Sequence, residues 1–325
     1  MKSKAILIRE HGGPEVLEAV EIEVSAPGPG EVQIRHKAVG VNFVDIYYRT
    51  GLYKPASLPF VPGSEGAGVV IAVGEGVEDF REGDRVTYPN GTGAYCEICN
   101  IRAASLLHLP DDISFETAAA MMLKGMTAEF LLNRTYAVGP GTVLLFHAAA
   151  GGVGLIAGQW AKALGATVIG TAGSDEKVKL ALRHGYDHVI NYREESFADR
   201  VKELTEGRGV DVVYDSIGKD TFPMSLDCLK PRGLWVTFGN ASGPVPSLAP
   251  AILAQKGSLY MTRPTLGTYI ASRDELTECA ESLFAIVRGN KVVININQTY
   301  PLAEAARAQT DLEGRRTSGT TLLIP

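Results

Sequence analysis

The stretch Gly141-Thr-Val-Leu-Leu-Phe-His-Ala-Ala-Ala-Gly-Gly-Val-Gly-Leu155 limits what this chain can fold into more than any other. Four β-forming apolar residues, Val143 to Phe146, run into small residues from Ala148 to Gly154. Val153, Ile156, Ala157, Trp160, Ala161 and Leu164 then recur at helical spacing, so the order is strand, tight turn, helix. Ala149, Gly151 and Gly154 stand where a dinucleotide fingerprint has its three glycines. Without bulky side chains, the backbone of Ala150, Gly151, Gly152 and Val153 can approach a pyrophosphate at the helix N-terminus. Alanine replaces the first glycine, and tight helix–strand packing alone would use a similar turn.

The flanking pattern favours the nucleotide reading. Gly165 ends the helix and Ala166 to Thr171 reads as the next strand. Val189-Ile190, Val210 to Tyr214, Leu234 to Phe238 and Ser258 to Thr262 read as further short strands. Helices are expected over 176–184, 197–205 and 221–229. This alternation predicts a parallel, doubly wound sheet, whose ligands sit beyond the carboxyl ends of the strands. Those ends read Gly173-Ser174, Asn191-Tyr192, Asp215-Ser216 and Phe238-Gly239-Asn240, and should line one crevice.

A length of 325 residues suggests two domains, and 45% hydrophobic with 21% charged residues is ordinary for a soluble globular protein. No apolar run is long enough to span a membrane, because glycines, His147 and Gln159 interrupt even 143–164. Met1-Lys-Ser-Lys-Ala leads straight into a strand pattern with no room for a signal peptide, so a cytoplasmic location is expected. The net charge is −6 and no basic block occurs, which disfavours nucleic acid as a partner. The cysteines are Cys96, Cys99, Cys228 and Cys279. Cys96-x-x-Cys99 invites a zinc or redox reading. Against it, Ala94 to Ile101 reads as a strand, in which positions three apart face opposite sides. Free thiols and no metal site are the expectation.

Residues 1 to about 120 carry strand signals at 5–8, 32–38, 69–73 and 85–88. Turns such as His11-Gly-Gly-Pro14 and Pro27-Gly-Pro-Gly30 separate them, so a mostly β domain is expected. A short helix should follow Asn42, over 43–49, and a longer one should run from Ser114 to Leu132. After 262 come a helix over 274–288, a strand at 292–296, a helix at 302–310 and a final strand at 320–324. This tail should fold back onto the first domain. The expected division is 1–124, an inserted nucleotide domain at 125–262, and 263–325.

With these features in place the chain resembles the medium-chain dehydrogenase/reductase superfamily. Within it the motifs are similar to the quinone oxidoreductases related to zeta-crystallin, the bacterial NADPH-dependent ones above all. The resemblance rests on His11-Gly-Gly-Pro-Glu-Val-Leu17, Gly40-Val-Asn-Phe-Val-Asp45, Gly51-Leu-Tyr53, Pro62-Gly-Ser-Glu-Gly-Ala-Gly68, Gly83-Asp-Arg-Val86, Ala148 to Gly154, Val213-Tyr-Asp-Ser216 and Gly257-Ser-Leu-Tyr260. It implies an α/β protein in which a mostly β, GroES-like catalytic domain carries an inserted Rossmann domain. In the zinc-dependent branch a cysteine ligand stands at the position of Asn42 and a histidine ligand at that of Ser64. Neither residue here is a strong zinc donor, so a zinc-free reductase is implied.

The resemblance also implies NADPH as cofactor. An acid that would hold a ribose 2′-hydroxyl is replaced by Ala172, which removes repulsion of a 2′-phosphate. Lys177, Tyr192 and, from the tail, Arg315 are the matching phosphate contacts, with Asp175 and Glu176 as a complication. Asn42, Tyr47 and Tyr53 are implied around the acceptor, with Asn42, Lys124 and Thr127 near the nicotinamide. Asn42 equally reads as a helix cap, Tyr47 as core and Lys124 as a surface lysine. His147, at the end of the first nucleotide strand, reads as structural, and Asp45 with Glu65 as fixing the backbone.

The function expected is reduction of a small quinone held in a cleft between the domains, by direct electron or hydride transfer from NADPH. Reduction of the double bond of an enal, enone or acyl thioester is the alternative, and an RNA-binding role is disfavoured by charge. A homodimer joined through edge strands of the nucleotide domains, around 248–262, is implied as well.

Overall fold

A computed structural model describes residues 1–325. Strand β1 (Lys2–Leu7) pairs antiparallel with β2 (Glu18–Glu23). Then follow β3 (Glu31–Val41), helix α1 (Phe43–Arg49), β4 (Glu65–Val73), β5 (Arg85–Tyr88), β6 (Ile98–Arg102), β7 (Leu107–His108) and helix α2 (Phe115–Glu129). A π-helical segment, Phe130–Thr135, extends α2. Next come β8 (Val143–Phe146), α3 (Gly152–Ala163), β9 (Thr167–Ala172), α4 (Asp175–Leu182), β10 (His188–Asn191), α5 (Phe197–Leu204) and β11 (Val210–Asp215). The one-turn α6 (Met224–Asp227), β12 (Leu229–Thr237), α7 (Ala251–Gln255), β13 (Tyr260–Thr262) and α8 (Leu266–Tyr269) continue the pattern. Helix α9 (Arg273–Arg288), β14 (Ile296–Pro301), α10 (Ala305–Glu313) and β15 (Thr320–Ile324) close the chain.

The chain divides into two compact units. The first comprises residues 1–126, 272–280 and 294–325; the second comprises 127–271 and 281–293. In the first unit β14, β15, β3, β4, β5 and β7 lie in that order in a mostly antiparallel sheet, and β6 also pairs with β3. Strand β3 shows why: Ile34, His36 and Ala38 point inward while Arg35 and Lys37 are exposed, the period-2 alternation of a half-buried strand. Val32, Ile34, Val39, Val70, Val86, Tyr88 and Leu323 share its core.

In the second unit all six strands are parallel, in the order β10-β9-β8-β11-β12-β13. The doubly wound sheet expected from the alternating pattern is present. The chain leaves β8 in one direction toward β10 and returns at β11 to run the other way. The carboxyl ends of β8 and β11 therefore flank the switch point, where such sheets bind ligands. Leu145, Ile169, Val213 and Trp235 form the buried layer, and α5, capped by Ser196, turns Phe197, Ala198 and Val201 onto it.

Three expected elements are corrected. The strand expected at 292–296 begins instead at Ile296. Val293 does not join a ladder, because the Gln159 side chain takes both its N–H, at 2.9 Å, and its carbonyl, at 3.0 Å. The helix expected over 221–229 shrinks to Met224–Asp227. Thr221 is held by Asp215, Pro223 has no N–H to give, and Leu229 already pairs with Val210 in the sheet. The strand expected over 94–101 starts only at Ile98. Cys96 lies in a tight turn before it, its N–H donating to the Ala94 carbonyl at 2.7 Å.

Candidate active site

The turn after β8 is built to hold something with its backbone. Ala148 takes a left-handed φ of 56°, and the Gly151 N–H donates to its carbonyl at 2.9 Å. A Cβ on Gly154 would meet the Ala148 and Ala149 carbonyl oxygens at 2.4 and 2.7 Å, so only glycine lets α3 lie this close to the turn. The alanine in place of the first fingerprint glycine has its own compensation. A Cβ on Gly170 would lie 2.7 Å from that of Ala149, so the bare Gly170 on β9 makes room for the methyl group. Gly151 caps α3, and Gly151, Gly152 and Val153 stay half-exposed. First-turn N–H groups have no partner inside a helix, and the dipole places positive charge there. The cradle therefore fits a pyrophosphate.

The other strand ends meet in two pairs within this unit, β9 with β10 and β11 with β12. Gly173 leaves space for Tyr192, whose hydroxyl would lie 2.4 Å from a Cβ at that position. Ser174 caps α4 by accepting the Lys177 N–H, which sets Lys177 in the first turn, half-buried. Asp175 accepts a hydrogen bond from the Asn191 amide at 3.0 Å, and Glu176 is exposed. Ala172 is buried at the end of β9. Phe238 donates its N–H to the Asp215 carbonyl at 2.8 Å, and a Cβ on Gly239 would meet the Ser216 carbonyl oxygen at 2.4 Å, so the ends of β11 and β12 touch. Ser216 and Asn240 are half-exposed beside them. Arg315 lies in the first unit, exposed, just after α10.

His147 has no solvent face. Ser225 donates its hydroxyl to Asp215 at 3.0 Å, so His147 Nε2–H donates to Ser225 at 3.0 Å and Nδ1 accepts from Thr171 at 2.9 Å. Burial holds the imidazole below its ordinary pKa, and the nearby Asp215 only partly offsets this. Its role is to tie β8, β9 and α6 together beneath the turn.

In the first unit the site is organised by a carboxylate. Glu65, fully buried at the start of β4, accepts from Lys124 Nζ at 2.5 Å, Asn42 Nδ2 at 2.9 Å and the Leu123 N–H at 2.7 Å. Lys124 is buried on α2, not a surface lysine; Thr127, one turn further along the same helix and also buried, already counts with the second unit. Asn42 does precede α1 as its cap residue. It forms a capping box with Asp45, its N–H donating to Asp45 Oδ2 at 2.9 Å, and its side-chain amide donates to Glu65 as well. Asp45 further accepts the hydroxyls of Ser64 at 2.6 Å and Tyr95 at 3.0 Å. Burial nevertheless raises the Asp45 pKa to about 6, against the lowering effect of those bonds and of the Lys124 charge. Behind Tyr95 stand Gln309 and the buried Arg49, which also pairs with Glu313 at 2.7 Å.

Tyr47 and Tyr53 meet edge to face at 5.2 Å between ring centres, and the Tyr53 N–H donates to the Tyr47 carbonyl at 3.0 Å. Tyr47 is buried and Tyr53 half-buried. The importance of Glu65 is not visible from residue types, because its side-chain partners lie 23 and 59 positions away in the chain. The available signal was a lone acid in an otherwise glycine- and alanine-rich stretch. Asn42 and Ser64 both turn donor groups toward carboxylates, an arrangement unlike a metal-ligand set.

Comparison with known proteins agrees with this architecture. The profile of the alcohol dehydrogenase GroES-like domain matches residues 28–140, and that of the zinc-binding dehydrogenases matches 152–285. Fold and profiles together define a medium-chain dehydrogenase/reductase. The quinone oxidoreductase of Pseudomonas aeruginosa is 54% identical over 324 residues, covering 99% of this chain and 100% of the relative. The crystal structure of Escherichia coli quinone oxidoreductase complexed with NADPH superposes with a TM-score of 0.97 at 52% identity, over 99% of this chain and 100% of that one. A 2-haloacrylate reductase from a Burkholderia species is 45% identical over 328 residues, 99% of this chain and 98% of the relative. The chain belongs to the quinone oxidoreductase family, as its motifs implied.

Proposed function

We propose that this protein is an NADPH-dependent quinone oxidoreductase that works without a catalytic metal. The observation that carries the reading is the end-to-end likeness to a quinone oxidoreductase crystallised with NADPH. The cradle of Gly151, Gly152 and Val153 supports it, because the bare Gly154 lets α3 lie against the turn and these first residues of the helix stay half-exposed, their N–H groups open to a phosphate. NADPH supplies a hydride from the nicotinamide when bound. The backbone of Ala150 to Val153 holds the pyrophosphate, while Gly173, Ser174, Ser216, Phe238, Gly239 and Asn240 line the dinucleotide at the strand ends. Lys177, Tyr192 and Arg315 hold the 2′-phosphate, where the small Ala172 replaces the usual acid.

Asn42, Tyr47 and Tyr53 orient the quinone, and Lys124 with Thr127 positions the nicotinamide end. Glu65 fixes Asn42 and Lys124 in one geometry, and the second amide hydrogen of Asn42, whose other contact is a long one of 3.5 Å to the Gly40 carbonyl, can exchange that contact for an oxygen gaining negative charge. The quinone is already electrophilic, so alignment and exclusion of water carry most of the rate, and the accompanying proton comes from solvent. The 45% identity to a 2-haloacrylate reductase favours one second reading, hydride delivery to an activated carbon–carbon double bond.

No helix is long and apolar enough to cross a membrane, and a cytoplasmic location is part of the proposal. So is a homodimer paired through β13, the last strand of the parallel sheet, where Tyr260 is 63% exposed and Met261 40%. Consumption of NADPH with a para-quinone, compared with 2-chloroacrylate and a small enone, tests the substrate class. Higher kcat/KM for the quinone is expected; turnover confined to the double-bond substrates would replace the main reading with the second.

A further inference from the structure

Because Cys96 precedes β6, strand alternation does not separate its thiol from that of Cys99. His36, on the inward face of β3, completes a cluster in which one ligand atom from each residue lies within 4.8 Å of the others. Cys96 Sγ is 3.9 Å from His36 Nδ1, and Cys99 Sγ is 3.9 Å from Nε2. Nδ1 lies 2.8 Å from the Cys96 carbonyl oxygen, which only accepts, so Nδ1 carries the proton and Nε2 the lone pair. The Tyr88 hydroxyl donates to Nε2 at 2.7 Å.

We propose that His36 Nε2, Cys96 Sγ and Cys99 Sγ bind a zinc ion that clasps β3 to the turn before β6. Two sulfurs and an imidazole are the donor set zinc prefers. Ligands of a tetrahedral zinc sit about 3.5–3.8 Å apart, so a cluster whose ligand atoms lie within 4.8 Å of one another must contract by about 1.3 Å at most. Charge agrees with this identity. Two thiolates and a neutral imidazole cancel a divalent cation, so nothing charged is left where Cys96 is buried and His36 nearly so. The bond from Nδ1–H to a backbone carbonyl is the arrangement that fixes a ligating histidine and sharpens its free nitrogen. The Tyr88 hydroxyl, 2.7 Å from Nε2, must give up its hydrogen bond to that lone pair when the ion binds. Cys99, half-buried, gives the ion its way in. Binding is a proton exchange without redox change: both thiols release their protons to water as the two metal–sulfur bonds form.

The test uses the full-length protein, reduced and stripped of metal with a chelator under inert gas, then titrated with Co²⁺. The expected result is about one equivalent per chain, with a near-ultraviolet thiolate-to-cobalt band and tetrahedral visible bands that Zn²⁺ abolishes. Cys99→Ser should weaken binding on the order of 100-fold, and His36→Asn should do likewise. Zinc should raise the thermal midpoint of the parent protein and leave that of Cys99→Ser unmoved. Absence of the thiolate band would overturn the proposal, and so would an undiminished band in Cys99→Ser. A third contrary result is reduced protein that takes up no zinc and forms only a Cys96–Cys99 disulfide in air.

Discussion

Lys124 Nζ and Glu65 Oε1 stand 2.5 Å apart, and the glutamate has no exposed surface at all. Each charge is tolerated in the interior only because of the other. The same Glu65 oxygen receives the Asn42 amide, so one buried ion pair sets the positions of two residues assigned to the reaction.

Lys124→Met should therefore destabilise the protein by about 3–5 kcal/mol, since it strands a buried carboxylate. The double variant Lys124→Met/Glu65→Gln should recover most of that loss. Urea unfolding of the two variants checks this; a single-variant cost below about 1 kcal/mol would mean that Glu65 is not held by the lysine.

Asp45 sets a pH dependence. Its carboxyl titrates near pH 6 in the folded protein and near 3.8 as an ordinary side chain. Between these values the native state binds a proton that the unfolded chain does not, so this group's contribution to stability rises as the pH falls from about 6 to 4. Above pH 6 the buried carboxylate costs about 3 kcal/mol relative to its protonated form. Asp45→Asn, with the Ser64 hydroxyl turned to accept, should remove this component. Unfolding free energies of both proteins at pH 4.5 and 7.5 should differ in slope accordingly, and parallel profiles would contradict the assignment.

Gly154→Ala places a methyl group 2.4 Å from the Ala148 carbonyl oxygen, which is backbone and has nowhere to go. Helix α3 must move off the turn, at about 1–3 kcal/mol in stability. The KM for NADPH should rise on the order of 10-fold as the cradle opens. An unchanged KM would show that the pyrophosphate is not held there.

Lys177→Ala should lower kcat/KM for NADPH by about 10- to 100-fold, the weight of one charge-assisted contact, and leave that for NADH nearly unchanged. Equal losses with both cofactors would remove Lys177 from the phosphate site.

What could be read from residues alone follows a physical division. The elements Phe43–Arg49, Arg85–Tyr88, Val143–Phe146 and Thr320–Ile324 coincide with their expected bounds, because local patterning and turn residues define both ends. The 221–229 helix and the 292–296 strand were decided instead by Asp215 and Gln159, distant side chains that claimed backbone or hydroxyl groups. The nucleotide turn was legible because its chemistry is contiguous in the chain. Glu65 was not, since its partners come from α2 and from the residue preceding α1. His36 went unnoticed although exposed Arg35 and Lys37 flank it, the alternation that marks an inward-facing position.

The most direct measurement is steady-state oxidation of NADPH and NADH with a para-quinone, using protein whose metal content after chelation has been determined. Full turnover is expected with metal removed, and at least about 10-fold higher kcat/KM for NADPH than for NADH. Turnover that disappears with the metal and returns on addition of zinc would contradict it.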